Sequence, residues 1–357
     1  MIDRRVGGRV GGRFVEQWQA AGDAADRLSW LAAHRLLGVV GLLGQRGLLG
    51  QAELALAEQV ASKGLVDEDT LAAESQVVDS IADAGVPALV LKGCLLGYLV
   101  YPRPEQRWRS DLDLLVSPSC IDDAREVLRA TGYKPAWQTT GGTPSHQQTW
   151  IRPSGPQIDL HWQLRNHPAL RGVLDFEEQW DSAVALPGLG EDAFGQCRVH
   201  ALLNASMHWF DELLPQFRPL VWLLDKDLLW RSMTERERAQ ATELAAARGI
   251  AGLLAESLRL AAAVFDTPVD RAVLEQLQQT GRTQRATWLK TTNRHPVRNW
   301  LFALRCERGL KARLNRLRAS LFPPPALMRE KYPEGSRLGL VGLYLKRAMR
   351  GSLFRRR

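Results

Sequence analysis

Hydrophobic positions up to residue 84 recur with the spacing of amphipathic α-helices. In "RLSWLAAHRLLGVVGLL" the apolar residues fall at Leu28, Leu31, Leu36, Val39 and Leu42. This spacing would place them on one face of a helix. The segments "QAELALAEQVAS" and "LAAESQVVDSIADAG" are rich in helix-forming residues, and the second ends at a glycine, a typical helix stop. Residues 1–85 are therefore predicted to form an N-terminal helical region.

The pattern changes to that of β-strands in the middle of the chain. Short apolar or alternating runs, each typical of a strand, appear as "PALVL", "SDLDLLV", "TWIRP" and "PQIDLHW". Between the second and third runs, "SPSCIDDAREVLRATGY" predicts a helix with Ser119 as N-cap, Asp122 in the capping-box position and Gly132 at the stop. Residues 86–199 are therefore predicted to form a mixed α/β core.

Helical patterns return after "VHALLNASMHWFDELLP" and continue to the end of the chain, interrupted by the proline break in "LFPPPALM". Residues 200–357 are predicted to form a C-terminal helical region with a basic tail. The expected fold class is α+β: a small mixed β-sheet core flanked by helical regions.

Composition places the chain among ordinary globular proteins. Of the 357 residues, 45% are hydrophobic and 24% are charged. No apolar run reaches the roughly 18 residues of a membrane span, and "MIDRRVGGRVGGRF" is not followed by a signal-peptide core, so a cytoplasmic protein is expected. The four cysteines form no CxxC pair, which argues against a disulfide framework or a zinc site.

The net charge of +8 is concentrated at the C-terminus, where residues 281–357 hold 20 Lys and Arg against 3 acids. Within this tail, "ERGLKARLNRLRASLF" predicts an amphipathic helix with an apolar stripe of Leu310, Leu314, Leu317 and Leu321. The first interpretation is that the stripe docks on the body and the arginines stay solvated. The alternatives are a surface for anionic lipid, nucleic acid or an acidic partner.

Two acids in a strand indicate a metal site. Asp111 and Asp113 are two residues apart, so a strand projects both carboxylates from one face. Like charges brought together against a core are costly unless a cation lies between them. Asp159 in "PQIDLHWQL" supplies a third acid, and if its strand pairs with the first, the three carboxylates can hold two Mg²⁺ or Mn²⁺ ions about 4 Å apart for phosphoryl or nucleotidyl displacement.

A phosphate-binding turn is predicted upstream in "LVLKGCLLGYLVY". A short strand leads into Lys92, Gly93 and Cys94 and then into an apolar helix. The glycine allows main-chain N–H groups to approach a phosphate, the helix start favours anions, and Lys92 adds a positive charge. The structural alternative for Lys92 is an exposed lysine at a strand end.

The order of these motifs resembles the nucleotidyltransferase superfamily that includes DNA polymerase β, and more closely a bacterial family of uncharacterised nucleotidyltransferases. The resemblance is carried by "LKG", Arg107 four residues before the first acid, "DLDLLV", "GY" and "IDLHW". It extends to "WLAAHRLLGVVGLL", "FPPPALMREKYP" and "LYLKRAMR" in the flanks. Cys94 departs from the family pattern, which has serine, so a hydroxyl contact to phosphate is absent and main-chain contacts must suffice. A weak hydrogen bond from the Cys94 thiol is the alternative contact there.

Several neighbouring residues have two interpretations. Arg107 either binds the triphosphate or neutralises Asp111, and Arg109 is given a smaller role. His161 lies on the face of Asp159 and either orients a phosphate, helps to deprotonate an acceptor, or holds the cluster in place by a hydrogen bond. Trp162 is a candidate wall of the cleft, whereas a loop position is expected for His146 and a packing role for His208.

These observations predict a metal-dependent nucleotidyltransferase that moves an NMP from an NTP to an unidentified hydroxyl or phosphate acceptor, a small molecule, peptide or protein, and releases pyrophosphate. ATP is one candidate nucleotide. One alternative is a nucleotide-binding module without catalysis. Another is an enzyme of RNA ends that uses the basic tail.

Overall fold

The computed structural model describes residues 14–49, 51–59, 61–136, 146–211, 218–292, 295–331 and 339–349. The N-terminal stretch considered as a leader and parts of the basic tail lie outside these ranges. Within them, no helix combines the length and the hydropathy that a membrane span requires.

The N-terminal region is helical, as predicted. Its α-helices in the described ranges are α1 (Phe14–Gln19), α2 (Ala24–Ala33), α3 (Val40–Gln45), α4 (Gln51–Glu58) and α5 (Glu68–Asp83), with 3-10 turns at Leu37–Val39 and Ala61–Gly64. The run "RLSWLAAHRLLGVVGLL" does not form one helix, because the backbone of Arg35 has a φ of 60° and ends α2 before the 3-10 turn. Gly85, with a φ of 69°, follows α5 as expected.

The middle region contains all seven strands of one sheet among the described residues. Its elements are β1 (Ala88–Leu91), α6 (Lys92–Leu99), β2 (Asp111–Val116), α7 (Ile121–Ala130), β3 (Lys134–Pro135), β4 (Gln147–Ile151), β5 (Gln157–His161), α8 (Phe176–Asp181), β6 (Val184–Ala185) and β7 (Phe194–Gly195). The strand order is β3-β4-β5-β2-β1-β7-β6. The pairs β2–β5 and β1–β7 are parallel and the others antiparallel, so the predicted mixed sheet is confirmed.

The start of α7 differs from the sequence prediction. Pro118–Cys120 forms a 3-10 turn and Cys120 is the N-cap, without a side-chain capping bond. Ser119 and Asp122 therefore do not form the predicted capping box, and the Ser119 hydroxyl instead lies 2.9 Å from that of Ser117. The proline before Ser119 favours the turn conformation that displaces the cap. Gly132 at the other end has the expected positive φ, 85°.

The C-terminal region is helical. The helices in its described part are α9 (Arg198–Asp211), α10 (Val221–Ser232), α11 (Glu235–Ala247), α12 (Ala251–Phe265), α13 (Arg271–Gly281), α14 (Leu289–Thr292), α15 (Pro296–Cys306), α16 (Leu310–Leu321), α17 (Pro325–Lys331) and α18 (Leu340–Met349). The proline break separates α16 from α17, as predicted. One hydrophobic core runs from Phe14 to Leu289 and includes residues of all three regions, and the predicted domain boundaries stay predictions.

The basic helix α16 is oriented differently from the first interpretation. Leu310, Leu314 and Leu321 are 73%, 54% and 43% exposed, whereas Arg316 is buried. Nε of Arg316 lies 2.6 Å from a carboxylate oxygen of Glu307, which is also buried. Three of the four stripe leucines are thus exposed and Leu317 is half-buried, so the predicted docking of the whole stripe is wrong. Helix α16 is held by this ion pair and by a hydrogen bond from the Trp300 indole to the Ser320 hydroxyl.

Candidate active site

The predicted acids are brought together by the parallel pairing of β2 with β5. The register sets Asp113 directly opposite Asp159. Because side chains alternate between the two faces of a sheet, Asp111 and Asp113 share the face on which Asp159 and His161 lie. The expected adjacency of the two acid-bearing strands is confirmed.

Asp113 lies at the centre of this face and is 2% exposed. Its Oδ1 accepts hydrogen bonds from Nζ of Lys92 at 2.5 Å and from Nε2 of His161 at 2.8 Å. Burial by itself raises the pKa of Asp113, but the charge of Lys92 and the bond from His161 outweigh burial and hold this pKa well below its usual range. Asp113 is therefore a carboxylate, already matched by a cation.

Asp111, the first residue of β2, is only partly buried and behaves differently. Burial and the nearby carboxylate of Asp113 raise the pKa of Asp111 to about 6, although the positive charges of Lys92 and Arg35 oppose the rise. The two acids of the pair thus differ in proton affinity because only Asp113 is directly hydrogen-bonded to cationic or N–H donors. Such a divergence is typical of functional acid pairs.

Asp159 is fixed by polar groups of its own sheet. Its Oδ1 accepts a hydrogen bond from the hydroxyl of Thr149 at 2.7 Å and a longer one from Nε2 of Gln157 at 3.3 Å. Thr149 lies directly opposite Asp159 in the antiparallel pair of β4 and β5. The carboxylate is buried, at 8% exposure, and its orientation is set before any ligand binds.

The buried group Asp113, Asp159 and His161 offers ligand atoms that all lie within 4.8 Å of one another, which makes it a candidate metal centre among the described residues. Nδ1 of His161 is buried without a hydrogen-bond partner in the described part of the chain. Burial and the charge of Lys92 lower the pKa of His161, which keeps the ring able to offer a lone pair.

These donors fit a divalent cation, with one change from the sequence prediction. Carboxylate oxygens suit Mg²⁺ and Mn²⁺, and an imidazole nitrogen is accepted by Mn²⁺ and softer ions. The predicted set was Asp111, Asp113 and Asp159, whereas the close group contains His161 and leaves Asp111 outside it. Asp111 remains on the same face of β2, next to this group.

The turn after β1 presents Lys92 to Asp113. Lys92 has a φ of 50°, in the left-handed region that non-glycine residues rarely adopt. A Cβ on Gly93 would lie 3.2 Å from the Arg109 Cβ, a tight contact, so a side chain there would crowd Arg109. The Cys94 thiol is buried and lies 3.7 Å from a carboxylate oxygen of Glu74, and therefore faces α5. Burial raises its pKa.

Arg107 contacts a residue that the sequence did not suggest. Its Nε and Nη2 donate to the two oxygens of Asp225 in α10, both at 2.7 Å, and its Nη1 donates to the main-chain oxygen of Trp108. The Tyr101 hydroxyl donates to the same Asp225 at 2.7 Å. The guanidinium therefore joins the sheet core to the C-terminal helices and makes no direct contact with Asp111.

Arg109 is held in the same way. Its Nε lies 2.7 Å from Oε1 of Glu74 in α5, its Nη2 contacts the other oxygen, and its Nη1 donates to the main chain of Pro104 at 2.9 Å. Both arginines that precede the acid strand are thus anchored by buried acids of two different helices, α5 and α10.

The remaining candidates lie around the site. The main-chain N–H of His146 donates to Oδ1 of Asn166 at 2.7 Å, which holds His146 in the loop before β4. The ring centroids of His146 and Trp162 lie 6.5 Å apart in an edge contact. His208 lies 4.6 Å from the ring of Trp222, centroid to centroid, which agrees with the packing role expected for it. Its Nδ1 also lies 3.1 Å from Arg165.

A family model described as an uncharacterised nucleotidyltransferase matches residues 21–266, more than half of the chain. The chain belongs to this family. A search of curated proteins finds no match.

The family match covers the whole sheet and the helices from α2 to α12, including every residue of the metal group. It therefore includes "WLAAHRLLGVVGLL" and the core motifs from which the resemblance was drawn. The two C-terminal segments quoted for the resemblance and the basic tail lie beyond the matched range. The family relationship rests on the core and the helices that precede and follow it.

Three residues of this family member's site were missed by sequence reasoning. Thr149 could have been found from the short β4–β5 connection, which fixes the antiparallel register opposite Asp159. Glu74 and Asp225, the partners of the two arginines, gave no local signal, because they lie 35 and 118 residues away along the chain.

Proposed function

We propose that this protein is a metal-dependent nucleotidyltransferase of the DNA polymerase β-like superfamily, which transfers an NMP from an NTP to a hydroxyl or phosphate acceptor. The bond formed joins the acceptor oxygen to the α-phosphorus. The bond broken joins that phosphorus to the bridging oxygen, which leaves with its electron pair in pyrophosphate. The proton of the acceptor passes to solvent or to a basic group.

The observation that carries this proposal is the position of Asp113 opposite Asp159 on a buried sheet face, with His161 in the same group. Three acids on neighbouring parallel strands have no evident value for folding, because the burial of like charges is costly. Membership of the nucleotidyltransferase family supports the same conclusion.

The proposed assignments follow the geometry. Asp111, Asp113 and Asp159 would hold two Mg²⁺ or Mn²⁺ ions, which when bound offset the charge of the triphosphate and of the attacking oxygen. Lys92 exchanges its contact with Asp113 for a phosphate oxygen, while the main-chain N–H groups of Gly93 and Cys94 line the start of α6.

His161 and Arg107 are assigned to positioning rather than to phosphate binding. The hydrogen bond from Nε2 of His161 fixes the orientation of Asp113. Arg107 donates through Nε and Nη2 to Asp225 and keeps the strand that carries the acids aligned with α10.

The test is mass spectrometry of the protein incubated with each NTP, Mg²⁺ or Mn²⁺ and a fraction of cell lysate. We expect a product whose mass exceeds that of an acceptor by one NMP, together with pyrophosphate release. The double variant Asp111→Asn with Asp113→Asn is expected to lose both signals. Its matched control is Asp122→Asn with Asp123→Asn, two exposed acids on α7 of the same core.

Equal transfer by the acid-pair variant and its control would contradict the proposal. A failure of transfer by the unaltered protein with every NTP, together with tight NTP binding, would favour the second candidate below.

A second candidate is a module that binds nucleotide without catalysis. The specific observation in its favour is the Lys92 ammonium 2.5 Å from Asp113, where it takes the place of a cation. Thermal shifts measured with NTPs, with and without Mg²⁺, separate the two functions: a module of this kind is stabilised equally in both conditions, and an enzyme requires the metal. The RNA-end alternative depends on the tail and is tested by salt-sensitive RNA binding that is lost on truncation after Leu321.

A further inference from the structure

Backbone strain coincides with positive charge around the acid pair. Among the described residues, the non-glycine residues with positive φ are Arg35, Lys92 and Asp266. Lys92 contacts Asp113, and Arg35 is close enough to Asp111 for their charges to interact. Residues held in sparsely populated conformations cluster at functional sites.

Arg35 occupies a position that this chain elsewhere gives to glycine. Its N–H donates to the oxygen of Ala32 at 2.9 Å and the N–H of Leu36 donates to that of Leu31 at 2.9 Å, the hydrogen-bond pattern of a Schellman helix end. Four other helices have a glycine with positive φ at the corresponding position: Gly47, Gly85, Gly132 and Gly249. Glycine would adopt this positive φ without strain. An arginine at this position therefore indicates a role for its side chain.

The guanidinium of Arg35 is held by stacking rather than by an acid. Its central carbon lies 4.3 Å from the ring centroid of Trp108. No hydrogen bond or ion pair joins this guanidinium to another side chain in the ranges that the structure describes. Stacking on an aromatic face orients the guanidinium plane and leaves its N–H groups available as donors.

Both partners of the stack are fixed. Trp108 lies between Arg107 and Arg109, each anchored by a buried acid. On the other side, the oxygen of His34 accepts a hydrogen bond from the N–H of Val221 at 3.3 Å. A Cβ on Gly38 would lie 2.6 Å from the oxygen of Gly64, so the chain after Arg35 is packed backbone to backbone.

We infer that Arg35, from the N-terminal helical region, binds phosphate oxygens of the NTP beside Asp111 and favours the triphosphate over the monophosphate. The inference rests on the proposed function. A guanidinium offers paired donors that match phosphate oxygens, and its charge is best used where several phosphate charges meet. The N-terminal helices thereby contribute directly to the nucleotide site that the sheet core builds.

The test is Arg35→Gly, because glycine suits this backbone and removes only the side chain. Titration calorimetry measures the Kd of a non-hydrolysable NTP analogue and of the corresponding NMP, both with Mg²⁺. We expect Arg35→Gly to raise the Kd of the triphosphate about tenfold to a hundredfold and that of the monophosphate less than about threefold. The Tm is expected to stay equal or to rise.

Two further variants sharpen the test. Asp266→Gly removes the same kind of strain at the end of α12, and we expect it to leave both Kd values unchanged. Arg35→Lys retains the charge but not the paired donors, and we expect an intermediate loss of triphosphate affinity.

Triphosphate binding by Arg35→Gly that equals binding by the unaltered protein would overturn the inference while the proposed function stands. Equal weakening of triphosphate and monophosphate binding would also overturn it, because the Arg35 side chain would then not distinguish the triphosphate from the monophosphate. Absence of binding by the unaltered protein to any NTP would overturn the proposed function, and this inference with it.

Discussion

Lys92 and Asp113 form an ion pair in which Nζ lies 2.5 Å from Oδ1, at the point where β1 passes into α6. The lysine side chain is 21% exposed and that of Asp113 3%, so the lysine is the more accessible partner of the pair. Asp113 also belongs to the candidate metal group, so a metal ion bound there would share this carboxylate with the ammonium. Under the proposed function, the ammonium compensates the charge of Asp113 when no nucleotide is bound, and it competes with a metal ion for this carboxylate.

Lys92→Met should separate these two effects. Without the competing ammonium, we expect Mn²⁺ to bind the nucleotide-free protein about tenfold more tightly. We expect nucleotide transfer to fall by about a hundredfold because the phosphates lose a positive partner. Mn²⁺ affinity is measured by electron paramagnetic resonance and transfer by pyrophosphate release.

The matched control is Lys134→Met, the same change at an exposed position of β3. It should alter neither quantity. Weaker Mn²⁺ binding by Lys92→Met would show that the lysine supports the metal site rather than competing with it.

Arg107→Lys tests whether this arginine binds phosphate or joins two parts of the fold. Nε and Nη2 of the guanidinium donate to the two oxygens of Asp225, so a lysine loses one of two charge-assisted hydrogen bonds in a buried site. We expect the free energy of unfolding to fall by about 1 to 3 kcal/mol. Urea denaturation measures this loss.

For the folded Arg107→Lys protein, the KM for the NTP should change by less than about threefold. A KM raised tenfold or more at unchanged stability would instead place the arginine on the triphosphate, which is the first of the two roles that the sequence suggested.

The acid-bearing strands were predictable because their signal is local. An acid inside an apolar run is costly, and the alternation of β-strand side chains places Asp111 and Asp113 on one face whatever surrounds them. The pairing of β2 with β5 followed once the third acid was assumed to join the first two. The predicted strands and the mixed sheet are confirmed for this reason.

Features that depend on distant partners were not predictable. The buried acids Glu74 and Asp225 determine what Arg109 and Arg107 do, and no local pattern connects them. The break of the first long helix at Arg35 was also missed, since the apolar spacing continues through it and only the backbone conformation marks the end of α2. Tertiary contacts decide such points over local propensity.

His34 makes a contribution to stability that is lost as the pH decreases from about 6.5 to about 4. Burial lowers the pKa of this histidine from 6.5 to about 4, and its Nδ1 accepts a hydrogen bond from the N–H of Leu220 at 3.2 Å. The unfolded chain takes up a proton below its own pKa while the folded chain resists it, so unfolding is favoured as the pH decreases through this window. At pH 7 and above this contribution is fully present.

His34→Gln provides the comparison, because an amide oxygen can accept the same hydrogen bond and does not titrate. We expect the variant to have a shallower dependence of unfolding free energy on pH between 4 and 6.5 than the unaltered protein. Parallel pH profiles from urea denaturation would contradict this assignment.

In helix α16, a substitution of the buried arginine should lower the free energy of unfolding more than a substitution in the exposed leucine stripe. Leu314 is 54% exposed, so Leu314→Gln should change the free energy of unfolding by less than about 0.5 kcal/mol. Arg316 is buried against Glu307, and Arg316→Ala leaves a buried carboxylate with a weakened set of partners, at a cost of about 1 to 3 kcal/mol. Urea denaturation of the two variants compares the two sides of one helix. If the leucine substitution were the more costly of the two, the stripe would be docked after all and the orientation described for α16 would be wrong.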